Sequence, residues 1–279
     1  MTQAGHDDAR AGASGLPPFV LWVDATPRPG WRNMALDQAL LERAERRDEG
    51  WLRLYRWEPF CLSFGRNEPA ARRYDRAAIA RLGLDAVRRP TGGRAVWHAR
   101  ELTYAVAAPS AWFGSLPEAY GRIHRTLAAA VRALGAADTA LADPPGRAAP
   151  VDAGACFAQP AGGEILVGGR KVLGSAQYRQ GPALLQHGSL LLEDDQSLLQ
   201  RVTVGGSPGG GQEAALSAAL GRTVSFAEAA DAVAEAARNA RTGWPGAWRA
   251  ADAAAIADVL AGAAAHEETY RSEAWTWRR

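Results

Sequence analysis

Residues 164–192 read EILVGGRKVLGSAQYRQGPALLQHGSLLL, and this stretch decides the fold class. Two short β-rich runs, EILV and RKVL, are joined by Gly168 and Gly169, a composition typical of a two-residue hairpin turn. The QGP tripeptide at 180–182 predicts a second turn, into a third strand at 183–192. Three strands joined by hairpins predict an antiparallel meander, which indicates an α+β fold rather than a doubly wound parallel sheet.

Further strands and helices flank this meander. The sequence predicts strands at 19–25, 52–57, 61–64, 85–89 and 101–107, and helices at 33–46, 74–82, 115–135 and around 212–240 and 251–264. The helix at 115–135 has the strongest signal, because SLPE forms an S-x-x-E capping box before apolar residues at helical spacing. We therefore expect one domain with a central mixed or antiparallel sheet flanked by helices. Its predicted limits are 18–245, after a flexible N-terminus at 1–17 and before a helical tail at 246–279 that packs on the same domain.

Composition predicts a globular protein without a membrane partner. Of 279 residues, 47% are hydrophobic and 22% are charged, and no run of eighteen apolar residues occurs. The first eighteen residues lack the basic and apolar regions of a signal peptide, so we expect a cytoplasmic location. The two cysteines, Cys61 and Cys156, have neither the number for a disulfide framework nor the spacing of a zinc site.

The chain contains a single lysine, Lys171, among 32 basic residues. The predicted hairpin pairs Lys171 with Leu166 and places it on the same sheet face as Leu173, where it would be partly desolvated. Arginine serves most surface roles of a lysine, so a lone lysine indicates a position that needs a compact ammonium or a primary amine. The alternatives are chance survival on a loop and a snorkelling side chain at a sheet edge.

Residues 66–100 are rich in arginine. This stretch contains nine arginines but only three acidic residues, Glu68, Asp75 and Asp85. The arginines are residues 66, 72, 73, 76, 81, 88, 89, 94 and 100. The excess predicts a positive face that could attract an acidic protein, a phosphate-bearing ligand or nucleic acid, although a solvated helix surface explains most of these residues equally well. Nucleic acid is not expected as a partner, because the sequence has neither a recognition helix nor a basic segment interleaved with aromatic residues.

Two segments contain residues suited to chemistry. RRPTGGRAVWH, at 88–98, has adjacent glycines that let the backbone approach a ligand, and arginines that can hold a carboxylate or phosphate. The segment 156–192 brings together Cys156, Lys171 and His187. Simpler interpretations remain open, namely a small buried cysteine, a surface lysine and a hydrogen-bonded strand histidine. Cys61 stands among apolar strand residues and is interpreted as packing.

Several motifs occurring in this order resemble the biotin/lipoate protein ligase and lipoyl-transferase family. They are NMALDQALL, WEPFCLSFG, RRPTGGRAVWH, GGRKVLGSAQYR and LLQHGSLLL, and the match spans roughly 19–204. The resemblance implies the α+β fold shared with class II aminoacyl-tRNA synthetases and biotin synthetases, with a sheet that cradles a lipoyl, octanoyl or biotinyl group. It also implies that Lys171 lies beside the acyl carbonyl and that the loop at 88–98 covers the ligand.

The same resemblance implies a set of site residues. The catalytic residues would be Cys156 and Lys171, and no metal ligand is implied. The substrate-binding residues would be Arg89, Thr91, Gly92, Gly93, Arg94, His98, Gly174, Ser175, Ala176, His187 and Gly188. Backbone N–H groups near Gly174 and Ser175 are candidate oxyanion donors.

Two departures from the ligase pattern favour an acyltransferase within the family. Arg94 stands where ligases typically have a third glycine, and Cys156 lies in a D-x-G-x-C-F-x-x-P context similar to the acyl-accepting cysteine of octanoyltransferases of the Gram-positive type. The Ala-rich C-terminal stretch shows little strand signal, so the accessory domain of longer ligases is not expected. Ala99 follows His98 where the family more often has Asp.

The implied reaction moves an octanoyl group from acyl carrier protein, through a Cys156 thioester, to a lysine of a lipoyl domain. The expected acceptors are the lipoyl domains of 2-oxoacid dehydrogenases or the glycine cleavage H protein. A transferase of this kind needs no cofactor, because passage from thioester to amide is downhill. The main alternative is an ATP-dependent lipoate-protein ligase, which would need ATP and Mg; a biotin ligase and a non-catalytic family member are weaker alternatives.

Overall fold

The computed structural model describes residues 15–142, 163–193, 196–205 and 214–278. Eleven strands lie within these ranges: β1 (Phe19–Arg28), β2 (Trp51–Trp57), β3 (Cys61–Phe64), β4 (Asp85–Arg88), β5 (Val96–His98), β6 (Glu101–Pro109), β7 (Ala140–Leu141), β8 (Ile165–Val167), β9 (Arg170–Gln180), β10 (Ala183–Leu191) and β11 (Trp248–Ala250). The α-helices of the same ranges are α1 (Gly30–Arg47), α2 (Ala70–Arg73), α3 (Arg76–Arg81), α4 (Leu116–Ala133), α5 (Leu198–Val202), α6 (Leu216–Leu220), α7 (Phe226–Arg238), α8 (Ala253–Arg271) and α9 (Glu273–Thr276).

Eight strands form one mixed sheet in the order β11–β1–β2–β6–β10–β9–β8–β7. The strands from β2 through β6, β10, β9 and β8 to β7 pair antiparallel, while β1 pairs parallel with both β2 and β11. The predicted meander is confirmed, with Leu166 opposite Lys171 in the β8–β9 hairpin. The α+β prediction is therefore confirmed, and the sheet is mixed rather than purely antiparallel.

Helices cover both faces of this sheet. On β2, Leu52 and Leu54 face the cluster that contains α4 and α7, while Trp51 and Tyr55 face α1 and α8. This alternation follows from the period of two in a strand. Helix α4 begins with the predicted capping box, in which the Ser115 hydroxyl and the Glu118 carboxylate each accept a hydrogen bond from the other residue's backbone N–H. The apolar faces of the helices thus bury the sheet between two layers.

A smaller sheet has the order β4–β3–β5, with β4 parallel and β5 antiparallel to β3. The seven residues that join β4 to β5 belong to the RRPTGGRAVWH segment. Gly65, just after β3, lies against this connection so closely that a Cβ at residue 65 would overlap the Gly93 carbonyl. Gly93 has φ +88°, a left-handed conformation that favours glycine. The small sheet therefore holds this loop beside the large sheet.

Several sequence-based boundaries need correction. The C-terminal stretch contains a strand, β11, which is too short to show alternation and forms because its backbone pairs with β1. The helix predicted at 74–82 begins only at Arg76, because Asp75 caps it by accepting from the Ala78 N–H and Tyr74 is extended. Helix α8 runs to Arg271 instead of ending near 264.

The arginine-rich stretch forms a positive face only in part. Arg88, Arg89 and Arg94 are buried, whereas Arg72 is exposed. Arg88 and Arg89 donate to backbone carbonyls, an arrangement that charge counting along the sequence cannot detect. Within the described ranges, no helix is both long enough and apolar enough to cross a membrane.

Candidate active site

A narrow cavity opens between the large sheet and the β4–β5 connection, with about 340 Å³ of empty space that includes open solvent at its mouth. The side chains and glycines that line it come from α1, from both sheets and from the connection. They are Met34, Tyr55, Trp57, Arg89, Val96, His98, Thr103, Gly174, Ser175, Ala176, His187, Gly188 and Ser189. The surface they expose to the cavity is mostly apolar. Such a space suits an alkyl chain better than a polar ligand.

His187, on β10, is one polar wall of this cavity. Its Nδ1 lies 2.9 Å from Asp37 Oδ2, and its Nε2 lies 2.5 Å from the Thr91 hydroxyl. Burial lowers the pKa of His187, and the Asp37 carboxylate offsets part of this effect. In the neutral ring, Nδ1–H donates to the carboxylate and Nε2 accepts from Thr91. His187 therefore ties the glycine loop to α1.

Asp37 belongs to a buried ionic network that sequence reasoning did not single out. Arg53 is fully buried and donates to Asp37 Oδ1 at 3.2 Å, to Asp24 Oδ2 at 2.8 Å and to Asn33 Oδ1 at 2.7 Å. The Tyr55 hydroxyl donates to Asp37 Oδ2 at 2.9 Å, and burial raises the pKa of Tyr55 well above its usual value. One sequence feature could have indicated this network: Asn33 and Asp37 are polar residues four positions apart within the apolar face of α1.

His98, at the end of β5, forms the opposite wall. Its Nε2 lies 2.5 Å from Ser63 Oγ and its Nδ1 lies 2.7 Å from Glu101 Oε1. The Trp57 ring stacks on the imidazole with 4.0 Å between ring centroids. Ser189 Oγ also donates to Glu101 Oε1, at 2.8 Å. His98 is thus fixed on both nitrogens and on its face.

Arg89 organises the loop. Its Nη1 donates to Ser63 Oγ and to the Ser63 carbonyl, both at 2.7 Å, and its Nη2 donates to the carbonyls of Gly92 and Arg94 at 3.0 and 2.9 Å. The sequence suggested that arginines of this segment could hold a carboxylate or phosphate. These contacts instead direct the Arg89 guanidinium toward the protein's own backbone.

Lys171 is fully buried on β9, and its Nζ donates to Glu164 Oε1 at 2.6 Å. The burial is more complete than the partial desolvation expected from the hairpin. Lys171 does not line the cavity, but it lies three residues from Gly174, which does. The lining also excludes Thr91, Gly92, Gly93 and Arg94. Thr91 nevertheless contacts the lining residue His187 through a hydrogen bond.

Cys156 lies outside the described residues. The segment that carries it follows Ala142 and precedes Gly163, and these two residues are joined by a hydrogen bond of 2.7 Å from the Gly163 N–H to the Ala142 carbonyl. The Ala142 N–H donates in turn to the Glu164 carbonyl at 2.7 Å. Ala142 and Gly163 therefore both lie next to Glu164, the residue that pairs with Lys171. Cys61 is described, and it is buried among apolar residues.

His124 is a further buried residue that sequence reasoning missed. It lies on α4, and its Nε2 is 2.9 Å from the hydroxyl of Ser175. The only sequence signal was a histidine within the apolar face of an amphipathic helix, a pattern more often typical of core packing. Across the parts of the chain that the structure describes, no group of three His, Cys, Asp or Glu side chains is arranged to hold a metal ion.

The fold and the cavity define a class of protein: an α+β domain with a narrow apolar cavity between two sheets and buried histidines in its walls. Residues 29–238 match the family model described as the lipoyl protein ligase A/B catalytic domain. The chain therefore belongs to this family.

Named relatives lie within the same family. The chain is 43% identical to an octanoyltransferase LipM of Kyrpidia tusciae over 175 residues, covering 60% of this chain and 64% of that one. It is 39% identical to an octanoyltransferase LipM of Symbiobacterium thermophilum over 232 residues, covering 76% and 82%. A solved lipoate-protein ligase A bound with ATP has a TM-score of 0.74 at 21% identity, covering 94% of this chain and 99% of that one. At that identity the likeness supports the fold alone.

Proposed function

We propose that the chain transfers an octanoyl group from acyl carrier protein to a lysine ε-amine of a lipoyl domain, through a thioester on Cys156. The observation that carries the proposal is the apolar cavity, whose lining residue Gly174 lies three residues from the buried Lys171 on β9. The similarity to octanoyltransferases supports the acyl group, and the family supports a lipoyl domain as acceptor. A cytoplasmic location is part of the proposal, because both protein substrates would meet the enzyme there.

The chemistry has two steps. The Cys156 thiolate attacks the thioester carbonyl of the donor, and the pantetheine thiol leaves. The neutral acceptor amine then attacks the enzyme thioester, an amide forms as the C–S bond breaks, and the proton that the amine loses ends on the released Cys156 thiolate. A positive charge from Lys171 favours the thiolate and polarises the carbonyl. No step consumes ATP, because the thioester already supplies the driving force.

The test is the intact mass of the purified protein after incubation with octanoyl-acyl carrier protein without ATP. We expect one octanoyl adduct, on Cys156, that neutral hydroxylamine removes. Cys156→Ala should lack the adduct, and the matched control Cys61→Ala should retain it, since Cys61 is buried packing. ATP-dependent attachment of free lipoate that persists in Cys156→Ala would contradict the transferase and support the ligase.

A further inference from the structure

Arg66, just after β3, is held between two aromatic rings. Its guanidinium carbon lies 4.8 Å from the ring centroid of Tyr178 on β9 and 5.9 Å from that of Trp275 on α9. Such contacts are attractive because the electron-rich face of an aromatic ring interacts favourably with a positive charge. The two rings therefore restrict where the Arg66 guanidinium can lie.

The backbone of Arg66 is fixed as well. Its carbonyl accepts from Arg278 Nη2 at 3.0 Å and from Arg88 Nη1 at 3.2 Å. Arg278 in turn packs on the same Trp275 ring, with its guanidinium carbon 3.6 Å from the ring centroid. Because the fold already holds both the backbone and the side chain of Arg66, binding of an anion to this arginine would cost little conformational entropy.

The N–H groups of the Arg66 side chain are not used within the protein. Among the residues that the structure describes, no acceptor bonds to them and no carboxylate pairs with the charge. This distinguishes Arg66 from Arg88 and Arg89, whose guanidinium groups donate to backbone carbonyls. Arg66 is half-buried, so its donors stay within reach of a molecule in solution. A positioned guanidinium with unused donors suits an anion that accepts two hydrogen bonds at once, such as a phosphate or a carboxylate.

Arg66 lies beside the loop that covers the cavity. Its backbone N–H donates to the carbonyl of Thr91, in that loop, at 2.8 Å. Its stacking partner Tyr178 is two residues along β9 from Ala176, which lines the cavity, and two residues of a strand span about 7 Å. An anion bound to Arg66 would therefore lie next to the cavity.

We propose that Arg66 binds the phosphate group of the acyl donor, an inference that rests on the proposed acyl transfer. The octanoyl group of that donor is carried on a pantetheine arm, and a phosphate joins the far end of the arm to the carrier protein. With the acyl chain in the apolar cavity, the arm leads out of the cavity and its phosphate lies outside. The guanidinium of Arg66 is the group that receives it.

A phosphate on a narrow arm fits this position better than a carboxylate on the surface of a folded protein. Arg66 is half-buried between two rings, so its donors are more accessible to a slender chain than to a broad protein surface. A nucleotide offers the same phosphate chemistry from a different source. The experiment therefore includes ATP as well as the pantetheine arm.

The test compares two small donors that differ only in the phosphate, octanoyl-4′-phosphopantetheine and octanoyl-pantetheine. For the wild-type protein we expect kcat/KM of acylation to be about tenfold higher with the phosphorylated donor, and in Arg66→Gln this ratio should fall to about one. Arg66→Lys keeps the charge but not the planar fork, so it should keep only part of the preference. Calorimetric titration with 4′-phosphopantetheine alone tests the site without any reaction, and the affinity should fall about tenfold in Arg66→Gln.

Arg179→Gln is the matched control, because Arg179 is exposed and follows Tyr178 but points to the opposite face of β9. It should keep both the donor preference and the affinity for 4′-phosphopantetheine. A wild-type protein without a donor preference would overturn the proposal, and so would equal losses with the two donors in Arg66→Gln, which would mean that Arg66 is structural.

Two further outcomes identify which assignment fails. ATP binding that is tighter than the binding of 4′-phosphopantetheine, and that is lost in Arg66→Gln, would assign the site to a nucleotide and overturn the donor assignment. Acylation of the wild-type protein by neither small donor nor by octanoyl-acyl carrier protein would contradict the proposed function itself. The calorimetric titration would still decide whether Arg66 binds the phosphate.

Discussion

At the scale of single residues, the buried ion pair of Lys171 and Glu164 has a large energetic consequence. Both side chains are buried, and their charged atoms are 2.6 Å apart. Such a pair contributes little net stability compared with apolar residues of the same size, but losing one partner leaves an uncompensated charge. The ion pair therefore fixes an ammonium group on β9, three residues from the cavity-lining Gly174, rather than strengthening the fold.

We expect Lys171→Met to lower the free energy of unfolding by about 3–5 kcal/mol, because Glu164 is left buried without its charged partner. The double variant Lys171→Met with Glu164→Gln should recover most of this loss, since neither side chain then carries a charge. Octanoyl transfer should be abolished in both variants. Urea denaturation measures the first effect, and modification of an apo lipoyl domain measures the second. If the double variant were as active as wild type, the ammonium group would have no catalytic role.

At the scale of secondary-structure elements, Arg88 joins the C-terminus to the loop that follows β3. Its guanidinium is fully buried and donates to the carbonyls of Gly65 at 2.6 Å, Glu68 at 2.8 Å and Arg278 at 2.7 Å. It also donates to the carbonyls of Trp275 and Thr276, and the Trp275 indole donates back to the Arg88 carbonyl at 3.0 Å. Because Gly65 supports Gly93, this contact connects α9 indirectly to the glycine loop.

Arg88→Met should destabilise the protein by about 3–5 kcal/mol, because several buried carbonyls lose a charged donor at once. Amide hydrogen exchange should increase first in 272–278, while the exchange of α8 stays close to wild type. Arg76→Ala is the control: Arg76 pairs with Glu273 at the surface, where both side chains are more than half exposed, so the change should cost less than about 1 kcal/mol. Similar effects of the two substitutions would mean that α9 is held by its apolar packing instead.

At the scale of the whole molecule, the arginines divide into buried and exposed groups with different roles. The formal net charge is only +2, so any attraction of an acidic partner depends on local clusters. Arg94, one of the nine arginines of residues 66–100, is 9% exposed, whereas Arg72 is exposed on α2. We therefore expect exposed arginines such as Arg72, rather than Arg94, to attract an acidic carrier protein electrostatically.

We expect Arg72→Glu to slow transfer from octanoyl-acyl carrier protein at low salt, with the difference from wild type shrinking as salt screens charges over about 10 Å at 0.1 M. A small octanoyl thioester that carries no protein surface should react equally with both proteins. Arg238→Glu, at an exposed position at the C-terminal end of α7 that does not line the cavity, is the matched charge reversal and should have little effect. The measurement is kcat/KM across a salt series. A loss with the small donor would show that Arg72 acts at the site rather than in steering.

Hairpin turns, caps and apolar periodicity are local signals, and they were enough to predict the α+β class, the meander at 164–192 and the capped helix α4. The family was predicted from the resemblance of several motifs in order. The same resemblance also predicted seven residues of the cavity lining: Arg89, His98, Gly174, Ser175, Ala176, His187 and Gly188. The roles of these residues, and of Cys156, stay predictions.

Only the tertiary structure decided which polar groups meet. Asp37 bonds to His187 from 150 positions away, and His124 bonds to Ser175 from 51 positions away. Neither contact has a local signature in the sequence. Asp37 and His124 are polar residues on apolar helix faces, and the sequence does not distinguish such a residue that contacts the cavity wall from one that is only packed in the core. The burial of Arg88 and Arg89 is likewise not evident from composition, because an arginine that donates to backbone carbonyls needs no acidic residue nearby in the sequence. Hydrogen bonds to the backbone and contacts between distant elements depend on the path of the chain, and that path is fixed only when the sheets and helices pack together.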